Sequence, residues 1–258
     1  MAVKDPGREV LLLPGERLDA LGPDGRLKII QHPRLFRFSL DAYLLAAYAR
    51  PRRGEEVLEL GSGNGAVLLL LAARTEAARI TGIEIQPVLV EMARRSILIN
   101  GLAGRIRLYR GDFRHEEALP AGPFDLVVAN PPHIPCGGGT KSPEGVLAVA
   151  RHELTCTLAE VVQAAAARLR ENGRFVLIHR ALRLPEILAE LAVHRFIPKR
   201  LTTVHSRPGR PATWVLLEAG RGARPGLVVT PPLFVREADG NFTPAMEEVF
   251  QGRWPMNW

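Results

Sequence analysis

From about residue 55 to residue 218 the chain alternates short β-rich runs with longer runs of alanine and leucine, and this alternation restricts the fold more than any other feature. The β-rich runs stand at 57–61, 80–85, 106–111, 124–129, 174–179, 200–205 and 213–218. Between them, 67–74, 87–100, 158–170 and 185–194 read as helices, with Pro87 and Pro185 in first-turn positions where a missing N–H is harmless. Asn172 and Gly173 read as a helix stop. Alternation of this kind predicts an α/β fold with a doubly wound sheet of seven strands, helices covering both faces. Residues 1–54 read as an extension, with a hairpin turning around Gly22 and Gly25 and then the helical stretch "SLDAYLLAAYA", for which Ser39 is the expected cap. Residues 221–258 form a second extension, in which a basic turn and "PPLFVREADGNFTP" lead into a short helix. No repeat or low-complexity linker interrupts the chain, so 1–258 reads as a single domain whose core is 55–220.

Composition narrows the class. With 258 residues and 47% hydrophobic content, a sizeable core is within reach. The longest apolar stretch, around 66–73, is far shorter than the roughly 20 residues of a membrane span, and the first nine residues are too polar for a signal peptide. A cytoplasmic location is therefore expected. Cys136 and Cys156 are too few for a disulfide framework and stand outside zinc-ligand spacing, so no metal site is expected. The formal charge of +7 suits a polyanionic partner such as RNA. Lysine, however, occurs only at Lys4, Lys28, Lys141 and Lys199, and a preference for arginine can equally reflect base composition or heat adaptation.

The stretch "VLELGSGNGAVLLLLAA" places Glu59 two residues before a glycine-dense turn, Gly61, Ser62, Gly63, Asn64 and Gly65, that opens a helix. Such a turn lets backbone approach a ligand closely. In "ITGIEIQP", Glu84 followed by Ile85 ends the next strand, where a carboxylate accepts from both hydroxyls of a ribose. An adenosine-containing cofactor fits this layout. Gly61, Gly63 and Ala66 also satisfy the dinucleotide pattern, which leaves a nicotinamide cofactor open at this point. The third strand ends in "YRGDFRH", where Asp112 could accept from an adenine amine beside Phe113, or simply cap a helix. Together, Glu59, Gly61 to Gly65, Glu84 and Asp112 resemble the S-adenosylmethionine site of class I methyltransferases. That resemblance implies a Rossmann-like seven-stranded sheet and S-adenosylmethionine as cofactor.

The fourth strand, "FDLVVANPPHIP", stops at Asn130, Pro131, Pro132 and His133. Asn-Pro-Pro at this strand end resembles the signature of amino-group methyltransferases, whose target nitrogen has its lone pair delocalised into a π system. An acceptor oxygen on Asn130 and the carbonyl of Pro131 would take both N–H hydrogens and favour an in-line attacking geometry. Proline fixes φ and donates no N–H, so the acceptor carbonyl is held rigidly. His133 stands where the signature usually carries a larger aromatic ring for stacking the base. A neutral imidazole still offers a π face, and activity is expected to fall as His133 gains a proton beside the sulfonium.

Three families share this signature: bacterial tRNA(Val) adenine-N6 methyltransferases, ribosomal guanine-amine methyltransferases and release-factor glutamine methyltransferases. The latter two are expected to carry a longer N-terminal domain than the roughly 55 residues here. The segments "IIQHPRLFRFSLDAYLLAAYA", "ARHELTCTLAEVVQAAAARLRENGRFVLIHR", "PKRLTTVH" and "PPLFV" are similar to the adenine-N6 tRNA family, which covers most of the chain. The resemblance implies that Phe38 and Asp41 help close the cofactor pocket, that the substrate is RNA, most plausibly tRNA, and that the amine is the N6 of adenine. Methylation of a protein glutamine or of a guanine amine, or an RNA-binding module on this fold, are the alternatives. Arg34, Arg37, Arg151, Arg207 and Arg210 are the phosphate-contact candidates, although Arg151, His152 and Glu153 equally suit a charge cluster that fixes the loop.

Overall fold

The computed structural model describes residues 2–5, 8–22, 24–35, 37–132 and 156–255. Strands β1 (Ala2–Asp5) and β2 (Arg8–Leu11) pair antiparallel, as do β3 (Arg17–Leu21) and β4 (Leu27–Gln31), the hairpin expected around Gly22 and Gly25. Helix α1 (Leu40–Ala49) follows. Ser39 occupies the N-cap position, but its hydroxyl donates to Asp41 Oδ1 at 2.6 Å and makes no cap bond to the helix backbone.

The chain then builds β5 (Glu56–Leu60), α2 (Ala66–Arg74), β6 (Arg79–Glu84), α3 (Pro87–Ile99), β7 (Ile106–Arg110), β8 (Phe124–Ala129), α4 (Leu158–Arg168), β9 (Leu169–Arg180), α5 (Leu184–Val193), β10 (Phe196–His205) and β11 (Ala212–Arg221). Every β-rich run of the sequence is a strand of one sheet, ordered β10-β11-β9-β8-β5-β6-β7. β5 to β9 run parallel, whereas β11 lies antiparallel between β9 and β10 because residues 206–211 are too few for a crossover. The expected seven strands become nine among the described residues. β12 (Val228–Val229) and β13 (Leu233–Phe234), two-residue strands of the C-terminal extension, add parallel pairs on β10. Helix α6 (Pro244–Phe250) closes the described chain.

Asn172 and Gly173 do not stop a helix. Helix α4, opened by a Thr157/Glu160 capping box, already ends at Arg168, and Leu169 enters β9 opposite Phe124. The next β8 pair is Leu126 with Arg174, so the residues between bulge out, with Asn172 at φ 62. Asn and Gly tolerate this conformation in a strand bulge as readily as at a helix end, which is why local sequence did not separate the two.

Period-two alternation along the buried strands feeds two cores. Val57, Leu126, Val128, Val176 and Ile178 pack with α1 and α2, while Leu58, Val127, Ala129, Phe175 and Leu177 pack with α4 and α5. Helix α1 is pinned at its last turn, where carbonyls lack intrahelical partners. Arg200 donates to Tyr48 O at 2.8 Å and Arg174 to Ala49 O at 3.1 Å, and both guanidiniums also pair with Glu218. The opposite end of α1 therefore sits at the carboxyl ends of the parallel strands, the edge at which doubly wound sheets bind ligands. No helix among the described residues is long and apolar enough to cross a membrane.

Candidate cofactor and substrate site

The turn between β5 and α2 is a left-handed staircase: Gly61, Gly63 and Gly65 have φ of 70, 54 and 85. Side chains are excluded here on two grounds at Gly65, since a Cβ would also stand 3.1 Å from the Cβ of Ala93 on α3. Backbone bonds from Gly61 and Ser62 to Ile83 O, at 2.9 and 3.1 Å, tie the turn to β6. Glu84 then locks it from the side, accepting from Gly63 N–H at 2.9 Å and Gln86 N–H at 2.8 Å, one bond to each carboxylate oxygen. Burial raises the Glu84 pKa, and these backbone donors, with Ile85, offset part of that. Ile85 itself is half-buried next to it.

Beneath the turn lies Glu59, 2% exposed. Burial pushes its carboxyl well above the usual carboxylate range, the neighbouring Glu84 charge adds to this, and the Leu68 backbone opposes it. Glu59 Oε2, Ser62 Oγ and both polar atoms of the Asn64 amide are buried without hydrogen-bond partners among the described residues. Buried polar atoms are ordinarily satisfied, and each orphan costs about 1–3 kcal/mol. Their concentration at one glycine turn is what a polar ligand would relieve, and two adjacent buried carboxylates favour a ligand bearing positive charge.

Asn130 ends β8 at the same edge. Its Nδ2 donates to Asp41 Oδ2 at 2.9 Å, while Oδ1 is buried without a partner among the described residues. Asp41, 5% exposed, is itself fixed by Ser39 Oγ and by Ala42 N–H, both to Oδ1, at 2.6 and 3.0 Å. A carboxylate only accepts, so the amide nitrogen must face Asp41 and the amide oxygen must face away from it. Pro131 is buried and Pro132 exposed beyond it. A fixed acceptor thus stands beside a glycine turn whose unsatisfied groups suit a charged cofactor.

Residues 57–137 match a family described as a methyltransferase domain. A tRNA1(Val) (adenine(37)-N6)-methyltransferase of Porphyromonas gingivalis is 32% identical over 200 residues, 75% of this chain and 78% of its own. One of the same name from Haemophilus influenzae strain PittGG is 33% identical over 212 residues, covering 81% and 87%. The chain belongs to the tRNA1(Val) (adenine(37)-N6)-methyltransferase family. Among solved structures, a predicted O-methyltransferase of Agrobacterium tumefaciens superimposes with a TM-score of 0.67 at 29% identity, over 83% of this chain and 96% of its own. A Pyrococcus furiosus methyltransferase, at 22% identity and a TM-score of 0.55, shares the fold.

The chain is accordingly an S-adenosylmethionine-dependent methyltransferase with a Rossmann-like class I sheet. Asp112 is turned toward its own loop, where Arg114 grips both carboxylate oxygens at 2.6 to 2.9 Å and holds its pKa down. Its neighbour Phe113 does reach the turn, its ring 3.8 Å from where a Gly61 Cβ would be. Phe38 packs edge-on against Tyr43 with centroids 5.9 Å apart. Arg34, Arg37, Arg207 and Arg210 are all exposed. His133 and Arg151, with His152 and Glu153, lie outside the described residues. Sequence reasoning missed Gly82 on β6: a Cβ there would meet Leu68 Cδ1 at 2.7 Å and Ser62 Oγ at 3.0 Å, so its absence makes room for the turn. It missed equally the bond between Asp41 and Asn130, which joins the first turn of α1 to the end of β8.

Proposed function

We propose that this methyltransferase modifies the exocyclic N6 amine of an adenine in tRNA, with tRNA(Val) the first candidate, in the cytoplasm where such RNA is handled. The observation that carries this reading is the buried Oδ1 of Asn130, unpartnered among the described residues and oriented by Asp41. S-adenosylmethionine supplies a methyl group carried on a positively charged sulfur. Glu84 suits the ribose hydroxyls, because each of its oxygens retains acceptor capacity beyond the single backbone bond it takes. The backbone of Gly61 to Gly65 admits the cofactor closely, and the Glu59 and Glu84 carboxylates favour its positive charge.

Asn130 and Pro131 act on the amine. With one N–H bonded to Asn130 Oδ1 and the other to the Pro131 carbonyl, the adenine nitrogen is drawn out of conjugation and its lone pair is directed along one line. No proton has to be removed beforehand. The amine becomes more acidic once alkylated and sheds its proton to solvent. Adenine must leave its stack to be held this way, which favours a single-stranded or flipped nucleotide.

The test is incubation of the protein with labelled S-adenosylmethionine and unmodified bulk RNA, followed by nucleoside analysis, with Asn130→Ala alongside. Label in N6-methyladenosine from the tRNA fraction, lost in the variant, is the expected result. Label recovered in protein glutamine or in a guanine amine overturns the choice of adenine.

A further inference from the structure

We infer that the carboxyl edge formed by β9, β11, β10 and β13 is the surface on which the nucleotides flanking the methylated adenine lie, an inference that rests on the RNA substrate proposed above. The sheet register sets out the track. Ala129, next to Asn130, pairs with Leu177 of β9, and further along β9 Arg180 pairs with Trp214 of β11. Trp214 stands opposite Val204 of β10, and the next residue, His205, pairs with Phe234 of β13. Four strand steps of about 4.8 Å give a row of about 19 Å leading away from Asn130. A stacked strand advances about 3.4 Å per nucleotide, so several nucleotides fit.

Basic and aromatic groups are interleaved along this row. The Arg180 guanidinium lies 5.0 Å from the Trp214 ring centroid, the His205 and Phe234 rings are 5.5 Å apart, and the Arg236 guanidinium covers the Phe242 ring at 4.3 Å. Aromatic rings and guanidinium planes both stack bases without regard to sequence, while free guanidiniums track phosphates.

The arginines along this row differ from those that brace the core. Arg95, Arg174 and Arg200 each hold a carboxylate within 3.0 Å. Arg180, Arg207, Arg210 and Arg236 make no ion pair among the described residues, and Asp239, the acid facing Arg207, has both carboxylate oxygens engaged by Asn241. Arg95, Arg174 and Arg200 brace the fold, whereas these four arginines have no carboxylate partner among the described residues. The sequence offers Arg207 and Arg210 as phosphate-contact candidates in one basic loop; the register joins that loop to the edge that ends at Asn130.

Binding is measured directly, by fluorescence anisotropy of a labelled RNA stem-loop with adenines in its single-stranded loop, across a range of salt. Phe242→Ala is expected to weaken binding about tenfold, as for one lost base stack. Arg207→Ala/Arg210→Ala is expected to weaken it further and to lower the slope of log affinity against log salt by about two, one for each lost phosphate contact. The control is Arg52→Ala/Arg53→Ala, which removes the same charge from the turn before β5 at the opposite edge and should leave the affinity near that of the unaltered protein. Equal losses from both double variants, unchanged binding in all of them, or no binding of the stem-loop by the unaltered protein each overturn the inference. Failure of the substrate reading is a different result: RNA bound along this edge, with no label transferred to it.

Discussion

Asn130 donates through Nδ2 to Asp41 Oδ2 at 2.9 Å, across 89 residues of sequence. Asp41 lies in the first turn of α1, and Asn130 at the end of β8, so a helix ahead of the sheet orients the amide proposed to hold the substrate amine. Replacing Asp41 by Asn offers that amide a donor in place of an acceptor and permits the flipped orientation. Asp41→Asn is expected to lower the single-turnover rate of methyl transfer about 100-fold, the scale of a reacting group misplaced by about an ångström. Cofactor affinity should stay within a few fold. A loss confined to cofactor affinity, with the rate intact, would return Asp41 to the role of closing the cofactor pocket.

Glu59 links the glycine turn to stability. Its folded pKa lies above that of the unfolded chain, so the folded protein retains a proton that the unfolded chain releases. Stability is therefore undiminished below the ordinary carboxylate pKa and declines as pH rises through the raised value. Glu59→Gln removes that penalty. The cofactor-free variant should melt higher than the unaltered protein at neutral pH, by an amount that shrinks to nothing in acid. Its affinity for S-adenosylmethionine should be lower at neutral pH, because the charge that opposes folding favours a cation. Thermal melts from pH 4 to pH 8, with and without cofactor, read both effects, and parallel melting curves across that range would be inconsistent with a buried charge.

These two residues mark how far the sequence reaches. Glu59, Gly61 to Gly65 and Glu84 were legible because a strand, a turn and a helix lie within one short stretch, and local spacing fixes their relation. Strands β5, β6 and β8 were legible because buried strands read as largely apolar runs between turn residues. Strands β12 and β13 were not, since two residues carry no periodicity, and Val228 and Val229 are exposed. Nor was the grip of Arg114 on Asp112, because an aspartate at a strand end looks the same whether it awaits a ligand or turns toward its own loop. The bond between Asp41 and Asn130 depends on where α1 packs against the sheet, which is set by core residues far away along the chain.

Gly65 tests the turn itself. At φ 85, with Ala93 Cβ 3.1 Å from the position of an added methyl, alanine meets both backbone strain and a neighbour that has to shift. The left-handed conformation alone costs a non-glycine residue about 1–2 kcal/mol. Gly65→Ala is expected to lose about 2 kcal/mol of stability in urea unfolding and most of its cofactor binding. Gly54→Ala is the control for strain without contact: φ there is 80, and nothing lies within 4 Å of its Cβ. It should lose stability by the strain alone and bind cofactor normally.

Arg200 separates holding the fold from aligning the reaction. It donates to Tyr48 O at 2.8 Å, pairs with Glu218 at 3.0 Å, and lies 3.9 Å over the Tyr48 ring, so it fastens the last turn of α1 to the sheet. Removing one partner of a buried pair costs about 3–5 kcal/mol, and the lower figure applies because Arg174 still reaches Glu218 at 3.4 Å. For a chain of this size about 3 kcal/mol corresponds to a fall of about 6–12 °C in Tm. Yet Asp41 is held at the other end of α1 by Ser39, Ala42 and Asn130, contacts that do not involve Arg200. Well below its melting temperature, Arg200→Ala should therefore transfer methyl groups at nearly the rate of the unaltered protein, whereas Asp41→Asn should be slow at every temperature. A slow Arg200→Ala far below its melt would mean that the two ends of α1 move together, and that the amide is aligned by the whole helix rather than by its first turn.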